Sequence, residues 1–186
     1  MTYSNNWLGI VNRALVKTGN QQLESLTGGT DNVNYVNTLL PSVVEDVAGM
    51  FPWRCLTVRR GLAPSAQLPE FGYIFQYPLP EDFARLNTVD VGGYRWEREG
   101  KSIVTDCDYC KITYVKLPSE PDEMSPSLKG LITIRLAYSI VQTTTSNSTL
   151  MQQLANEFDS ALIMAEREEA QAEEDKTKFV GWAENR

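Results

Sequence analysis

The chain has 186 residues, 42% of them hydrophobic, and a net charge of −7. This length suits one domain with appendages. The negative net charge argues against sequence-independent binding of nucleic acid, because such binding needs clustered Lys and Arg. The absence of histidine removes the usual imidazole base of Ser and Cys nucleophiles, which excludes most hydrolase mechanisms.

Residues 1–6 contain neither a basic region nor an apolar stretch of signal-peptide length, and the longest uncharged run, residues 136–156, is rich in Thr, Ser, Gln and Asn. The chain has three cysteines, whereas a secreted disulfide framework pairs its cysteines and usually has an even number. The sequence therefore predicts a cytosolic chain without a membrane span.

Two helices are predicted in the first 50 residues. The first has Ser4 as its cap, Gly19 as its stop and an apolar face of Trp7, Ile10, Val11, Ala14 and Leu15. The second runs from Asp31 to about Gly49. Because Pro41 lies inside it and lacks a backbone donor, we expect a kink or a helix in two pieces.

Residues 53–117 change to a strand-like period. Apolar residues alternate around Leu56, Tyr77, Leu86 and Ile112, and Gly and Pro separate these runs, which predicts short antiparallel strands joined by hairpins. Residues 77–86 join two of these strands through a corner in which prolines end one strand before the next begins near Arg85. We expect Asp82 and Arg85 to bond backbone or a neighbouring subunit there.

The helical period returns after residue 126, with Ser127 as the expected cap. This helix has two apolar stripes, too wide for one core contact, and we expect one stripe to face another subunit. The stripe that we assign to the subunit contact is Leu131, Ile134, Tyr138 and Val141, and the other is Leu128, Ile132, Leu136 and Ile140. A last helix begins near Leu150 and becomes acidic after Glu166. The polar tail then carries an apolar group, Phe179, Val180 and Trp182, which needs a pocket.

These elements predict an α+β fold with about four helices, two N-terminal and two C-terminal, and a central antiparallel β region. We expect residues 1–176 to form one domain, with residues 1–52 and 119–176 as the helical bundle and 53–118 as the inserted β region. We expect residues 177–186 to form a docking tail.

No motif indicates a cofactor, a metal or catalysis. Cys107 and Cys110 form a CxxC pair, but the chain offers no second ligand pair for zinc, so we interpret them as ordinary turn and strand residues. The paired carboxylates Glu81 with Asp82, or Glu120 with Asp122, are of the residue type that glycosidic acid–base chemistry needs. Acids are common in loops, and we interpret Glu81 and Asp82 as turn residues.

The order of short motifs along nearly the whole chain resembles the tail tubular protein A and head-to-tail adaptor family of short-tailed bacteriophages. The matching motifs are Asn12-Arg13-Ala14-Leu15, Gly19, Leu23-Glu24-Ser25-Leu26, Phe51-Pro52-Trp53, residues 77–86, residues 99–106, Asp122 and Met124.

This resemblance implies a structural protein of the virion neck, made in the bacterial cytoplasm, and not an enzyme. It implies a ring of twelve copies beneath the portal protein, a downstream tail or nozzle protein, and DNA passing through without specific binding. Phe179, Val180 and Trp182 are then expected to dock on the portal, and no cofactor is expected. Two alternatives remain: a virion-associated peptidoglycan-degrading enzyme, and a tail-completion or tube-terminator protein of a longer-tailed phage.

Overall fold

A computed structural model describes residues 4–28, 30–144 and 147–171; its last helix continues to Glu184, but residues 172–184 are otherwise outside the described part. The described chain is α+β, with four α-helices and a central antiparallel β region, as predicted; this region consists of two three-stranded sheets. It divides into a helical unit, residues 1–47 and 118–186, and a β unit, residues 48–117.

Helix α1, Leu8–Lys17, follows a 3₁₀ turn at Asn5–Trp7. The Ser4 side chain accepts a hydrogen bond from the Asn6 amide, and Gly19 adopts φ +73°, which is favourable for glycine. All five residues of the predicted apolar face are buried. The predicted stop and core face of this helix are confirmed, whereas Ser4 caps the 3₁₀ turn before α1 and the N-cap of α1 itself, Trp7, makes no capping side-chain hydrogen bond.

Helix α2, Asp31–Met50, is continuous through Pro41, so the expectation of a helix in two pieces is wrong. Its apolar face is buried from Val33 to Ala48. That burial outweighs the loss of one backbone hydrogen bond, because most helical stability in proteins comes from packing of the apolar face.

The C-terminal helices are α3, Pro126–Thr144, and α4, Ser148–Glu184. Ser125, and not Ser127, caps α3, since its hydroxyl accepts from the Leu128 amide at 3.3 Å. Ser127 instead hydrogen bonds to Glu168 of α4. Helix α3 packs against both α1 and α4, which gives it a wide buried face.

The β unit contains two sheets with strand orders β1-β6-β3 and β2-β5-β4. Tyr77, Ile103, Ile112 and Tyr114 are buried in the core that both sheets share. Only β4 and β5 form a two-residue hairpin, at Gly100 with φ +56°; the other pairs join strands distant in sequence, contrary to the expected hairpins. The strands are β1 Thr57–Leu62, β2 Phe75–Pro78, β3 Phe83–Asp90, β4 Trp96–Glu99, β5 Ser102–Thr105 and β6 Cys110–Lys116.

The β unit begins earlier than the predicted residue 53, because the end of α2 belongs to it. Arg85 of β3 donates to the carbonyl of Met50 at 2.6 Å and to that of Gly49 at 3.3 Å. These contacts attach the last turn of α2 to the sheet.

Candidate assembly surfaces

The corner between β2 and β3 is fixed by backbone hydrogen bonds. The Phe83 amide donates to Pro80 at 3.1 Å across a tight turn, and the Leu79 amide donates to Lys101 at 2.9 Å. The Leu117 amide donates to the Asp82 carbonyl at 2.6 Å. The predicted exit of one strand and entry of the next are therefore confirmed, with β2 ending at Pro78 and β3 beginning at Phe83.

Asp82 bonds to a buried tyrosine of the same unit. The Tyr114 hydroxyl donates to Asp82 Oδ1 at 3.0 Å, and the Phe83 ring stacks on Tyr114 with centroids 5.9 Å apart. Burial raises the pKa of Tyr114, and the hydrogen bond to Asp82 raises it further. Asp82 therefore stabilises the corner from within the β unit.

Arg85 also bonds within its own unit. Its guanidinium supplies positive charge at the C-terminus of α2, whose last turn contains no basic residue. Asp82 and Arg85 thus shape the corner, and their predicted contact with another subunit stays a prediction. Beside the corner lies an open groove of about 880 Å³ lined by Arg60, Leu62, Pro78 and Glu81 among others.

The apolar stripe that we assigned to a subunit contact lies mainly in the core of the helical unit. Leu131, Ile134 and Val141 are buried, and Tyr138 is half-buried with Arg135 5.6 Å from its ring centre. The wide apolar face is explained by packing against α1 and α4, so it requires no second subunit. Ile134 alone of these also lines a surface groove.

The predicted docking residues Phe179, Val180 and Trp182 lie outside the described residues. Their function stays a prediction from the sequence.

Cys107 and Cys110 are buried free thiols, in agreement with their interpretation as ordinary turn and strand residues. Burial above all raises the pKa of Cys110 to about 11, which opposes the thiolate that redox chemistry needs. Within the described part of the chain, no group of three or more Cys, Asp and Glu side chains is placed to hold a metal ion.

The paired carboxylates make structural contacts. The Glu120 carboxylate accepts hydrogen bonds from the Ser4 hydroxyl at 3.0 Å and from the side-chain amide of Asn6 at 3.0 Å. Asp122 lies 3.9 Å from the Lys129 ammonium, and Glu81 is exposed. These contacts favour the structural interpretation of the acids.

A surface that the sequence interpretation missed is the loop at residues 63–74, between β1 and β2. Leu68, Phe71 and Ile74 are exposed there, and the exposed fraction of Phe71 is 86%. The sequence did contain a signal for this surface, because three large apolar residues lie in a connection that contains Pro and Gly. A cluster of exposed apolar side chains is typical of a binding surface.

No protein-family model matches the chain, and a search of curated proteins found no match. Among the described residues, no helix has both the length and the apolar character to cross a membrane.

Proposed function

We propose that this chain is a structural head-to-tail connector of a bacteriophage virion. Identical copies form a twelve-membered ring beneath the portal, join the head to the downstream tail or nozzle protein, and let DNA pass without specific binding. The chain acts through its surfaces and carries out no reaction.

The observation that carries the proposal is the order of its parts. A helical unit is built from both ends of the chain, and a β unit is inserted between its halves, with a proline corner at residues 78–86. The resemblance to the adaptor family implies a helical bundle with a β domain, and this arrangement is compatible with it.

The distribution of charge supports the same function. The helical unit carries 16 acidic and 8 basic residues, whereas the β unit carries 8 acidic and 9 basic residues. A passage for DNA must repel phosphates to let the polymer slide, and an acidic helical surface meets that requirement.

The test is to mix the purified full chain with rings of the portal protein encoded by the same virus and to image the product by electron microscopy. We expect a twelve-fold collar on one face of the portal. Isolated copies are expected to assemble weakly without the portal, because each contact gains from ring closure and multivalency.

A chain that stays monomeric in the presence of portal rings would contradict the proposal. A collar on the end of an isolated tail tube, with none on the portal, would favour the tube-terminator alternative. Cleavage of purified peptidoglycan by the same preparation would favour the muralytic alternative.

A further inference from the structure

The helical unit has an apolar surface groove between α1 and α4, with α3 as its floor. The groove has a volume of about 560 Å³, and its apolar lining includes Val16 of α1 and Ile134 of α3. Val16 is 55% exposed although it is a large apolar residue. A groove of this kind is typical of a binding surface.

Two contacts hold α4 against the other helices, and the first of them lies at the groove. Lys17 of α1 lies 2.6 Å from Glu157, and Ser127 of α3 hydrogen bonds to Glu168. Met164 belongs to the same face of α4, seven residues after Glu157 and four before Glu168. Because both acids point towards α1 and α3, helical spacing places Met164 on the same side of α4, and its exposed fraction is 67%.

Gly130 on the floor of the groove is not explained by packing within the chain. A Cβ atom placed there would meet nothing within 4 Å. Glycine inside a helix is less stable than alanine, so its presence here needs another reason. Close approach of a second molecule to the α3 backbone supplies one.

The β unit carries an exposed loop suited to such a groove. Its ends are held by the Ser65 amide, which donates to Gln76 at 2.7 Å, and by Arg95, which donates to the Gly72 carbonyl at 2.6 Å. The tip between these bonds contains Leu68, Glu70 and Phe71. A loop fixed at its ends loses less entropy on binding.

We propose that the 63–74 loop of one copy binds in the α1–α3–α4 groove of the next copy, with Phe71 against Val16 and Met164. The charges are complementary: the groove contains Arg13, Lys17 and Glu157, for a net charge of +1, and Glu70 is the one charged residue of the loop. Contact between the Met164 sulfur and the Phe71 ring adds to the binding free energy gained from burying apolar area.

This contact joins two different surfaces, so it is heterologous and repeats around a ring. That the copies close into a ring rests on the proposed function, and the inference identifies the two surfaces through which neighbouring copies bind. The contact between two copies is testable without the portal.

The first experiment places the photo-crosslinking residue benzoylphenylalanine at position 71, where the exposed side chain does not support the fold. Equal amounts of ¹⁵N-labelled and unlabelled full-length chain are mixed, irradiated both on portal rings and free at high concentration, and analysed by mass spectrometry. We expect crosslinks between copies to residues 12–17, 130–134 or 157–164.

Crosslinks only within one copy, to other positions or to the portal would overturn the inference, as would the absence of crosslinks in both samples. If a collar forms but Phe71 crosslinks elsewhere, the connector function stands and the contact does not. If copies crosslink as expected but no collar forms on the portal, the contact stands and the connector function fails.

The second experiment uses two variants. Phe71→Glu places a charge on the loop and should prevent it from binding, and Val16→Glu places a charge in the groove and should prevent the groove from accepting a loop. Neither variant alone is expected to associate, whereas their mixture should form a pair joined by one intact contact, seen by sedimentation velocity after chemical crosslinking. Ile163→Glu is the matched control, because Ile163 is 50% exposed on α4 but lies off the Glu157–Met164–Glu168 face. Normal assembly of either variant, or no pair in the mixture, would overturn the inference.

Gly130→Ala separates folding from assembly. Alanine should raise the melting temperature through helix propensity and lower the fraction of copies crosslinked, because its methyl group occupies the floor of the groove. A raised melting temperature with unchanged crosslinking would show that nothing approaches Gly130 closely and would contradict the inference.

Discussion

Asp82→Ala removes the acceptor of a buried tyrosine hydroxyl. Tyr114 is almost fully buried and donates to Asp82 at 3.0 Å, so its hydroxyl proton loses its partner in this variant. An unsatisfied buried donor costs about 1–3 kcal/mol, and we expect the free energy of unfolding to fall by about that amount in urea denaturation.

Glu81→Ala is the control for that change, because Glu81 is exposed in the same turn and its loss should alter stability by less than about 0.5 kcal/mol. Asp82→Ala combined with Tyr114→Phe should lose less stability than the two changes summed, since the orphaned hydroxyl is gone. Equal effects of Glu81→Ala and Asp82→Ala would show that the corner does not depend on this hydrogen bond.

The buried thiol of Cys110 predicts a dependence of stability on pH. Burial raises its pKa from 9.0 to about 11 in the folded chain. Below pH 9 both states hold the proton; between 9 and 11 the unfolded chain releases it first, so the free energy of unfolding falls as pH rises. We expect the stability advantage of the wild type over Cys110→Ala to shrink by about 1–3 kcal/mol across this range.

Urea denaturation of both proteins below and above this range measures the effect. Tyrosines that do not interact with Cys110 cancel in the comparison, whereas Cys110 raises the pKa of Tyr77, so Tyr77 adds a change of the same sign in the wild type. A constant difference between wild type and Cys110→Ala would contradict the prediction.

At the scale of elements, Arg85 connects β3 to the end of α2. Its guanidinium contacts the carbonyls of Gly49 and Met50, and the last turn of this helix has no basic residue of its own. Arg85→Gln should lower stability by about 1 kcal/mol and speed hydrogen exchange in the last turn of α2. Arg59→Gln, at an exposed arginine of β1, is the matched control and should leave that exchange unchanged.

The helices were predictable because each has an apolar face with a 3.6-residue period. Strands β4 and β5 were not recognised, for a physical reason: all four residues of β4 are exposed and all four of β5 are buried. Alternation appears only in strands with one buried face, so neither of these shows it. The partners of α3 were equally hidden, since a sequence shows the width of an apolar face but not what covers it.

Some features of the candidate surfaces were also predictable from the sequence, and others were not. The corner at residues 78–86 was predictable because prolines constrain the backbone locally. The contact of Arg85 with Met50 joins residues 35 positions apart, and the exposure of Phe71 depends on the fold of the whole β unit. Such properties arise from tertiary structure and leave no local pattern.

At the scale of the whole molecule, a ring of identical copies needs two different binding surfaces on each copy. The described chain offers an apolar loop on its β unit and an apolar groove on its helical unit. In the proposed connector, attachment to the portal requires a third surface, because the first two bind neighbouring copies. The apolar group in the polar C-terminal tail is the candidate for it.

Deletion of residues 177–186 should therefore abolish binding to the portal without unfolding the chain. The buried residues of the described part all precede residue 171, so the melting temperature should remain close to that of the wild type and circular dichroism should lose only the signal of the deleted helical residues. Phe179→Ala combined with Trp182→Ala should act like the deletion, because aromatic anchors supply most of the binding energy at interfaces. Lys178→Ala is the control, and collar formation on portal rings is the measurement. Undiminished collars from the deleted chain would assign portal attachment to another surface.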